Sequence, residues 1–252
     1  MLRAFYDNPV PEDSQTLTLD PGESHHLVKV LRAGENEPVC VFDGKGHFWH
    51  CRRLDNNPKA LTLAIERRET VPAPRCAIAL AQAMPKGSLM DDIVRQATEI
   101  GAAWIFPLSS DRCEVRLDPE RSAKKLERWK QIAVEACKQC GNAFLPQILP
   151  VTSLRDFLKR RSRPENEVRL TASLEDGTLP CPQIAARYAD AVPETVLFFV
   201  GPEGDFSEEE YALLRQSGCV PVRLGRNVLR AATAAIYTLA VADQMRIFWG
   251  RQ

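Results

Sequence analysis

The sequence predicts two domains, a small β-rich barrel followed by an α/β domain with a mainly parallel sheet. Three observations carry this. Apolar residues recur with period two between about residues 15 and 66, a proline-broken segment follows, and beyond it short apolar runs alternate with runs of helical period.

In the first domain, Leu17-Thr18-Leu19, Val39-Cys40-Val41-Phe42 and Leu61-Thr62-Leu63-Ala64-Ile65 read as strands, with Asp43-Gly44-Lys45-Gly46 as a tight turn. One helix interrupts them: Ser24 is placed to cap His25-His26-Leu27-Val28-Lys29-Val30-Leu31-Arg32, which ends near Gly34. Val71-Pro72-Ala73-Pro74 breaks regular structure, because proline fixes its own φ and restricts the residue before it. The domains are therefore expected at residues 1–71 and 76–252.

In the second domain Cys76-Ala77-Ile78-Ala79-Leu80-Ala81 is a buried-strand run. Ser88 is expected to cap a helix with Met90, Ile93, Val94, Ala97 and Ile100 on one face, closed by Gly101. Trp104-Ile105-Phe106-Pro107-Leu108 is the next strand. Asp118-Pro119 opens a long helix carrying Leu126, Trp129, Ile132, Ala133, Ala136 and Cys140 at helical spacing, ahead of Gly141. The all-apolar run from Thr195 to Val200 fits a parallel strand covered on both faces. Ser207 with Glu210 forms a capping box for a helix holding Tyr211, Leu213 and Leu214, which Gly218 ends. A strand at 220–224 and an apolar helix from Ala231 to about Trp249 complete the chain.

Composition narrows the function classes. With 44% hydrophobic residues the 252-residue chain can bury real cores, and with Lys plus Arg equal to Asp plus Glu at 33 each its net charge neither demands nor excludes nucleic acid. No apolar run reaches signal-peptide form or the ~18 to 20 residues of a membrane span, so a cytoplasmic protein with no membrane association is expected. The eight cysteines are scattered through apolar patterns and read as free buried thiols. Basic residues gather at Lys29 and Arg32, at Arg52 and Arg53, and from Arg155 through Lys159, Arg160 and Arg161 to Arg163. These clusters could follow a phosphate backbone or simply face water.

Two glycine-containing loops each follow a strand: Gly201-Pro202-Glu203-Gly204, and Gly225-Arg226-Asn227-Val228-Leu229-Arg230. The crevice beyond the carboxyl ends of parallel strands is where such folds bind ligands. Neither loop has the spacing of a nucleotide phosphate loop or a dinucleotide fingerprint, which argues against ATP and NAD.

The run Phe199-Val200-Gly201-Pro202-Glu203-Gly204-Asp205-Phe206-Ser207, then Leu224-Gly225-Arg226, Val228-Leu229-Arg230 and Thr233-Ala234, resembles the carboxyl-terminal signature of the bacterial 16S ribosomal RNA uridine-N3 methyltransferases, members of the knotted SPOUT superfamily. The likeness extends upstream through Gln82-Ala83-Met84-Pro85-Lys86-Gly87, Glu99-Ile100-Gly101, Arg112-Cys113 and Gln139-Cys140-Gly141 to Phe42-Asp43-Gly44 and Val30-Leu31-Arg32. It implies a PUA-like barrel that holds RNA and a catalytic domain whose carboxyl-terminal segment is threaded as a trefoil knot, a rarity among folds. By the same resemblance the protein is a homodimer with active sites at the subunit interface, acting on 16S RNA within the 30S subunit or a late assembly particle.

S-adenosylmethionine would then be held by Phe199, Val200, Gly201, Pro202, Glu203 and Gly204, by Leu224, Gly225, Val228, Leu229, Arg230 and Ala231, and by Thr233. Lys29, Arg32, Arg52, Lys86, Arg112 and Arg226 are the candidates for RNA. Uridine N3 must lose its proton as it attacks the methyl group, so the site must favour negative charge on the base. Arg230 is the candidate for that electrostatic role and Glu203, if desolvated, for proton acceptor, although Glu203 could instead cap backbone amides in its own loop.

Five positions depart from the family pattern: Leu89 stands for a lysine, Lys138 for a glutamate, Asn142 and Asn227 for arginines, and Ala232 for the glutamate of an arginine-x-glutamate-threonine run. They leave open the same fold acting on a different RNA nucleotide, or a lapsed homologue that only binds RNA. Metal is not expected. Cys137 and Cys140 form a lone C-x-x-C inside a helical pattern, and His47 and His50 are three apart on a strand and so point to opposite faces.

Overall fold

The computed structural model describes residues 1–32, 34, 37–114, 118–175 and 177–250. The chain forms two compact units, one of Met1–Ala73 with Val134–Leu145, the other of Pro74–Ala133 with Pro146–Gln252.

The first unit contains β1 (Leu2–Phe5), β2 (Thr16–Thr18), α1 (Pro21–His25) continuing into a π-helical turn at His26–Val30, β3 (Val39–Phe42), β4 (His47–Arg53) and β5 (Thr62–Thr70). Its sheet runs β1-β3-β4-β5-β2, antiparallel except for β1 beside β3. The period-two residues face inward, with Leu17, Leu19, Val41, Trp49, Leu61 and Leu63 packed around Ala4 and Leu27. At the hairpin Asp43 Oδ1 accepts the amides of Lys45 at 2.7 Å and His47 at 3.1 Å. Gly44 takes φ +70°, and a Cβ there would meet Leu145 Cβ at 2.7 Å, so only glycine fits the turn.

The helix cap differs from expectation. Asp20, ahead of Pro21, accepts the amides of Gly22 at 2.7 Å and Glu23 at 3.1 Å, so the helix starts one turn earlier. Ser24 is buried inside it, its hydroxyl donating to Leu19 O and accepting from Leu61 N. β1 escaped the sequence reading because it is four residues long and its partner β3 lies far along the chain.

The second unit holds β6 (Ala77–Ala83), α2 (Leu89–Ile100), β7 (Trp104–Ser109), most of α3 (Pro119–Cys140), β8 (Gln147–Ile148), β9 (Thr152–Ser153), α4 (Leu154–Arg160), β10 (Glu167–Ala172), β11 (Leu179–Pro180), α5 (Cys181–Arg187), β12 (Thr195–Val200), α6 (Glu208–Gln216), β13 (Cys219–Arg223) and α7 (Ala231–Trp249). All pairings in its sheet are parallel, in the order β11-β13-β10-β12-β6-β7-β8, with β9 also on β7. Alternate residues of β12 supply two cores. Leu197 and Phe199 pack with Phe157, Phe206 and Tyr211 on one side, while Val196 and Phe198 pack with Ile184, Met245 and Trp249 on the other. An unbroken apolar strand is what two covered faces require.

Gly101 closes α2 in the left-handed conformation, and Ser207 with Glu210 makes the reciprocal capping box. Ser88 stands just before α2, in the capping position but without a side-chain cap bond, its backbone at ψ 8° rather than extended. No helix among the described residues is long and apolar enough to cross a membrane.

Candidate active site

β13, β10 and β12 are adjacent and parallel, so their carboxyl ends, at Arg223, Ala172 and Val200, open on one edge of the sheet. A cleft of about 280 Å³ lies there, walled by Ala172, Ser173 and Leu174 after β10, by residues 200–203 and Asp205 after β12, and by Arg223, Leu224, Gly225 and residues 227–231 after β13, with Ala234 of α7. This is the crevice position expected of ligand sites in parallel sheets.

The loop after β12 is held from several directions. Buried Gln82 donates from Nε2 toward Val200 O at 3.5 Å and Gly201 O at 3.4 Å. Arg112 Nη1 donates to Gly204 O at 2.8 Å, and Glu210, buried at the start of α6, accepts the amides of Ser207 at 3.0 Å and Asp111 at 2.9 Å. Gly201 has no room for a side chain, since a Cβ would lie 2.9 Å from Asp205 Oδ1.

Of the residues expected to hold a cofactor, Val200, Gly201, Pro202, Glu203, Leu224, Gly225, Val228, Leu229, Arg230 and Ala231 line the cleft. Phe199, Gly204 and Thr233 do not. Phe199 points the other way, into the core, edge-on to Phe157 at 5.8 Å; the period of two that sends Val200 to the cleft must turn its neighbour away. Gly204 faces Arg112, and Thr233 is exposed on α7. The wall after β10, and Asp205, Arg223, Asn227 and Ala234, also line the cleft, although the sequence did not assign them to the cofactor.

Arg230 takes the position before α7 with extended backbone, and no side chain caps that helix. Glu203 is exposed rather than desolvated, and its Oε1 accepts the amide of Lys86 at 3.1 Å, an amide from another loop and not from its own. Lys86 Nζ pairs with Glu114 at 2.6 Å. Lys86, Arg112, Glu114 and Glu203 thus converge beside the cleft.

The other basic candidates divide. Lys29 and Arg32 are exposed in the first unit, where Arg52 pairs with Glu66 at 3.3 Å. Arg226 is exposed and borders a second, apolar groove with Tyr237, Val241 and Phe248. The 155–163 cluster is largely engaged within the fold: Arg155 pairs with Asp111 and Glu209, Arg161 with Glu167, and Arg163 Nε donates to Glu167 O. Among the described residues no group of three or more His, Cys, Asp or Glu is arranged to hold a metal.

Residues 72–243 match the family described as RNA methyltransferase domain, and residues 19–66 the RNA methyltransferase PUA domain. A Synechocystis protein named ribosomal RNA small subunit methyltransferase E is 32% identical over 89% of this chain and 72% of its own length. The Mycobacterium bovis protein of the same name is 30% identical over 97% and 92%. This chain belongs to the ribosomal RNA small subunit methyltransferase E family.

The crystal structure of methyltransferase E from Neisseria gonorrhoeae, bound to S-adenosylmethionine, superposes with a TM-score of 0.84 at 31% identity, covering 95% of this chain and 96% of the other. A Legionella pneumophila structure with the same cofactor bound gives 0.82, also at 31% identity and over 95% and 96%. With the family comes the expected order of domains, a PUA domain followed by an α/β RNA methyltransferase domain. Set against the methyltransferase E pattern, the five departures separate in space. Asn227 lines the cleft and Ala232 lies in the first turn of α7, while Leu89 opens α2 at 40% exposure. Lys138 and Asn142 belong to the first unit, where Asn142 Oδ1 accepts the amide of Phe144 at 3.0 Å.

Proposed function

We propose that this protein transfers a methyl group from S-adenosylmethionine to N3 of a uridine in 16S ribosomal RNA. The observation that carries the reading is the cleft at the ends of β10, β12 and β13, walled by the two loops that bear the family signature.

The lining suits that cofactor. Val200, Leu224, Val228, Leu229 and Ala231 offer an apolar floor for a purine, the Gly201 backbone can be approached closely, and Glu203 complements a cationic ligand. When bound, S-adenosylmethionine supplies an electrophilic methyl on a sulfonium. The loops at 200–203 and 224–231 would hold it, chiefly through backbone groups.

The protein's own residues must receive the base and manage its charge. Uridine N3 attacks as its proton leaves, and the negative charge that spreads to the flanking carbonyls is stabilised by a cation already in place. Arg230 lines the cleft and is exposed, so its guanidinium is available to the base. Glu203, exposed and tethered through Lys86 N, serves as a positioning group for the ribose and base. Lys86, Arg112 and Arg226, with Lys29, Arg32 and Arg52 of the barrel, offer positive charge to the RNA backbone.

The assembly is read as a homodimer. Tyr237, Ile247 and Phe248 of α7 are 44%, 41% and 46% exposed, an apolar helix face that a second copy would cover.

The test is methyl transfer from labelled S-adenosylmethionine to naked ribosomal RNA and to 30S particles from a strain lacking the gene, with the product nucleoside identified by mass. N3-methyluridine in 16S RNA is expected, with 30S particles the better substrate. Methyl label on another nucleoside would redirect the target, and cofactor binding without label in any RNA would leave an RNA-binding homologue.

A further inference from the structure

The loop after β12 turns on an aspartate. Asp205 takes φ +61°, in the left-handed region that costs most side chains energy and that Asp tolerates better than most. Its amide donates to Pro202 O at 2.9 Å, closing a tight turn, and its Oδ1 accepts the amide of Phe206 at 2.8 Å. The hydroxyl of Tyr211, on α6, donates to the same carboxylate, 2.8 Å from Oδ1 and 2.9 Å from Oδ2. Oδ1 also lies over Gly201, 2.9 Å from where a Cβ would be. One carboxylate therefore braces the first residue of the loop against the helix that follows it.

Tyr211 is itself fixed, 7% exposed and edge-on to Phe206 at 5.8 Å and 85°. Burial pushes its pKa up, so the hydroxyl stays a donor. Gly201, Pro202, Glu203 and Asp205 all line the cleft, and a loop already fixed in its binding shape loses less entropy when a ligand arrives.

We propose that Asp205, latched by Tyr211, is a positioning residue that presets the 201–204 backbone for S-adenosylmethionine. This rests on the reading of the cleft as the cofactor site. Tyr211 acts through Asp205, so losing either should have the same effect, and losing both should add little.

The experiment is calorimetric titration of the full chain with S-adenosylmethionine, for wild type, Tyr211→Phe, Asp205→Gly, their double variant and Asp205→Asn, each verified as folded by circular dichroism. Glycine accepts the left-handed backbone without strain, so Asp205→Gly removes the latch alone. The expected result is about tenfold weaker binding in each single variant, the size of one hydrogen bond to a charged group, and no further loss in the double. Asp205→Asn, whose carbonyl still accepts from Tyr211, should return to within about threefold of wild type. Wild-type affinity in Tyr211→Phe would overturn the proposal. So would Asp205→Asn binding as weakly as Asp205→Gly, since that would make the charge a direct ligand contact. A wild type that does not bind the cofactor would sink the reading of the cleft and the proposal with it, a failure distinct from a wild type that binds beside unchanged variants.

Discussion

Lys138 Nζ sits 2.9 Å from Glu23 Oε1, with the two side chains at 8% and 12% exposure, and 3.0 Å from Glu135 Oε1. A position where the resemblance leads one to expect a glutamate is thus filled by a buried cation that joins α1 to the last turn of α3 in the first unit. Burial raises the Glu23 carboxyl even with its partner in place. Burial also works against the Lys138 ammonium, but the hydrogen bond and charge of Glu23 outweigh it and raise its pKa. This departure is accounted for by the fold of the first unit.

Lys138→Glu is accordingly expected to destabilise, because it replaces the cation between Glu23 and Glu135 by a third carboxylate. Removing one partner of a buried pair costs about 3 to 5 kcal/mol. Thermal melting should register the loss, and the combined Glu23→Lys, Lys138→Glu exchange should recover at least half of it. Unchanged melting in Lys138→Glu would mean that the pair contributes nothing.

At the cleft, Arg230→Ala should lower the rate of methyl transfer by at least about 100-fold, as loss of a preorganised charge-stabilising group does. Affinity for S-adenosylmethionine should stay within about threefold if, as proposed, backbone groups carry most of that contact. Single-turnover methyl incorporation together with calorimetry separates the two, and full turnover in the variant would remove Arg230 from the mechanism.

Arg112 distinguishes two readings of one side chain. The sequence assigns it to RNA, whereas the structure has its guanidinium on Gly204 O at 2.8 Å. If that bond matters most, Arg112→Ala should raise KM for the cofactor several-fold at saturating RNA. A rise confined to the KM for RNA would restore the phosphate reading.

How much of this was legible depends on what each strand buries. β12 announced itself because both its faces meet apolar layers, and the loop it feeds was found with it. β10, beside it in the sheet, was passed over because its sequence, Glu167-Val168-Arg169-Leu170-Thr171-Ala172, looks half solvent-facing. Arg169 and Glu167 are in fact buried and paired on one face of the strand, and local alternation does not tell a paired buried charge from a solvated one. The cleft wall at Ala172, Ser173 and Leu174 was lost with that strand. Asp205 was read as part of a signature, and its φ and its bond to Tyr211 follow from tertiary structure. The capping box at Ser207 needed only local geometry and was legible, whereas at Ser24 the Asp20-Pro21 pair one turn earlier was the stronger start signal.

The C-x-x-C reading can be tested with a thiol reagent. Cys137 is buried and its pKa is pushed up to about 12, as is that of Cys51, while Cys140 is exposed two residues before Asn142. At pH 8 the thiolate is the reactive form, so the native protein should titrate Cys140 quickly and the buried thiols only on unfolding. Matched fast labelling of Cys137 and Cys140 would instead make the C-x-x-C an accessible, reactive pair of thiols.

Acid should expose what Glu167 does. Its carboxylate is fully buried and accepts from Arg161 Nη1 at 2.6 Å and Arg169 Nε at 2.8 Å. Burial alone would raise its pKa, but the two guanidinium groups outweigh burial and hold it below the usual carboxylate range. A depressed carboxyl pKa gives stability that is present above the unfolded value, near 4.5, and lost as pH falls through the folded one. Other carboxylates titrate in the same window, so the informative quantity is the difference between wild type and Glu167→Gln. At pH 7 the variant leaves Arg169 buried without its counter-charge and should be about 3 to 5 kcal/mol less stable. Below pH 4.5 the wild type progressively protonates the same group and loses the same interaction, so the gap should narrow. Melting temperatures of both proteins from pH 7 to about pH 3 measure it. A gap of constant size would mean that Glu167 is not the group whose ionisation holds the start of β10 in place.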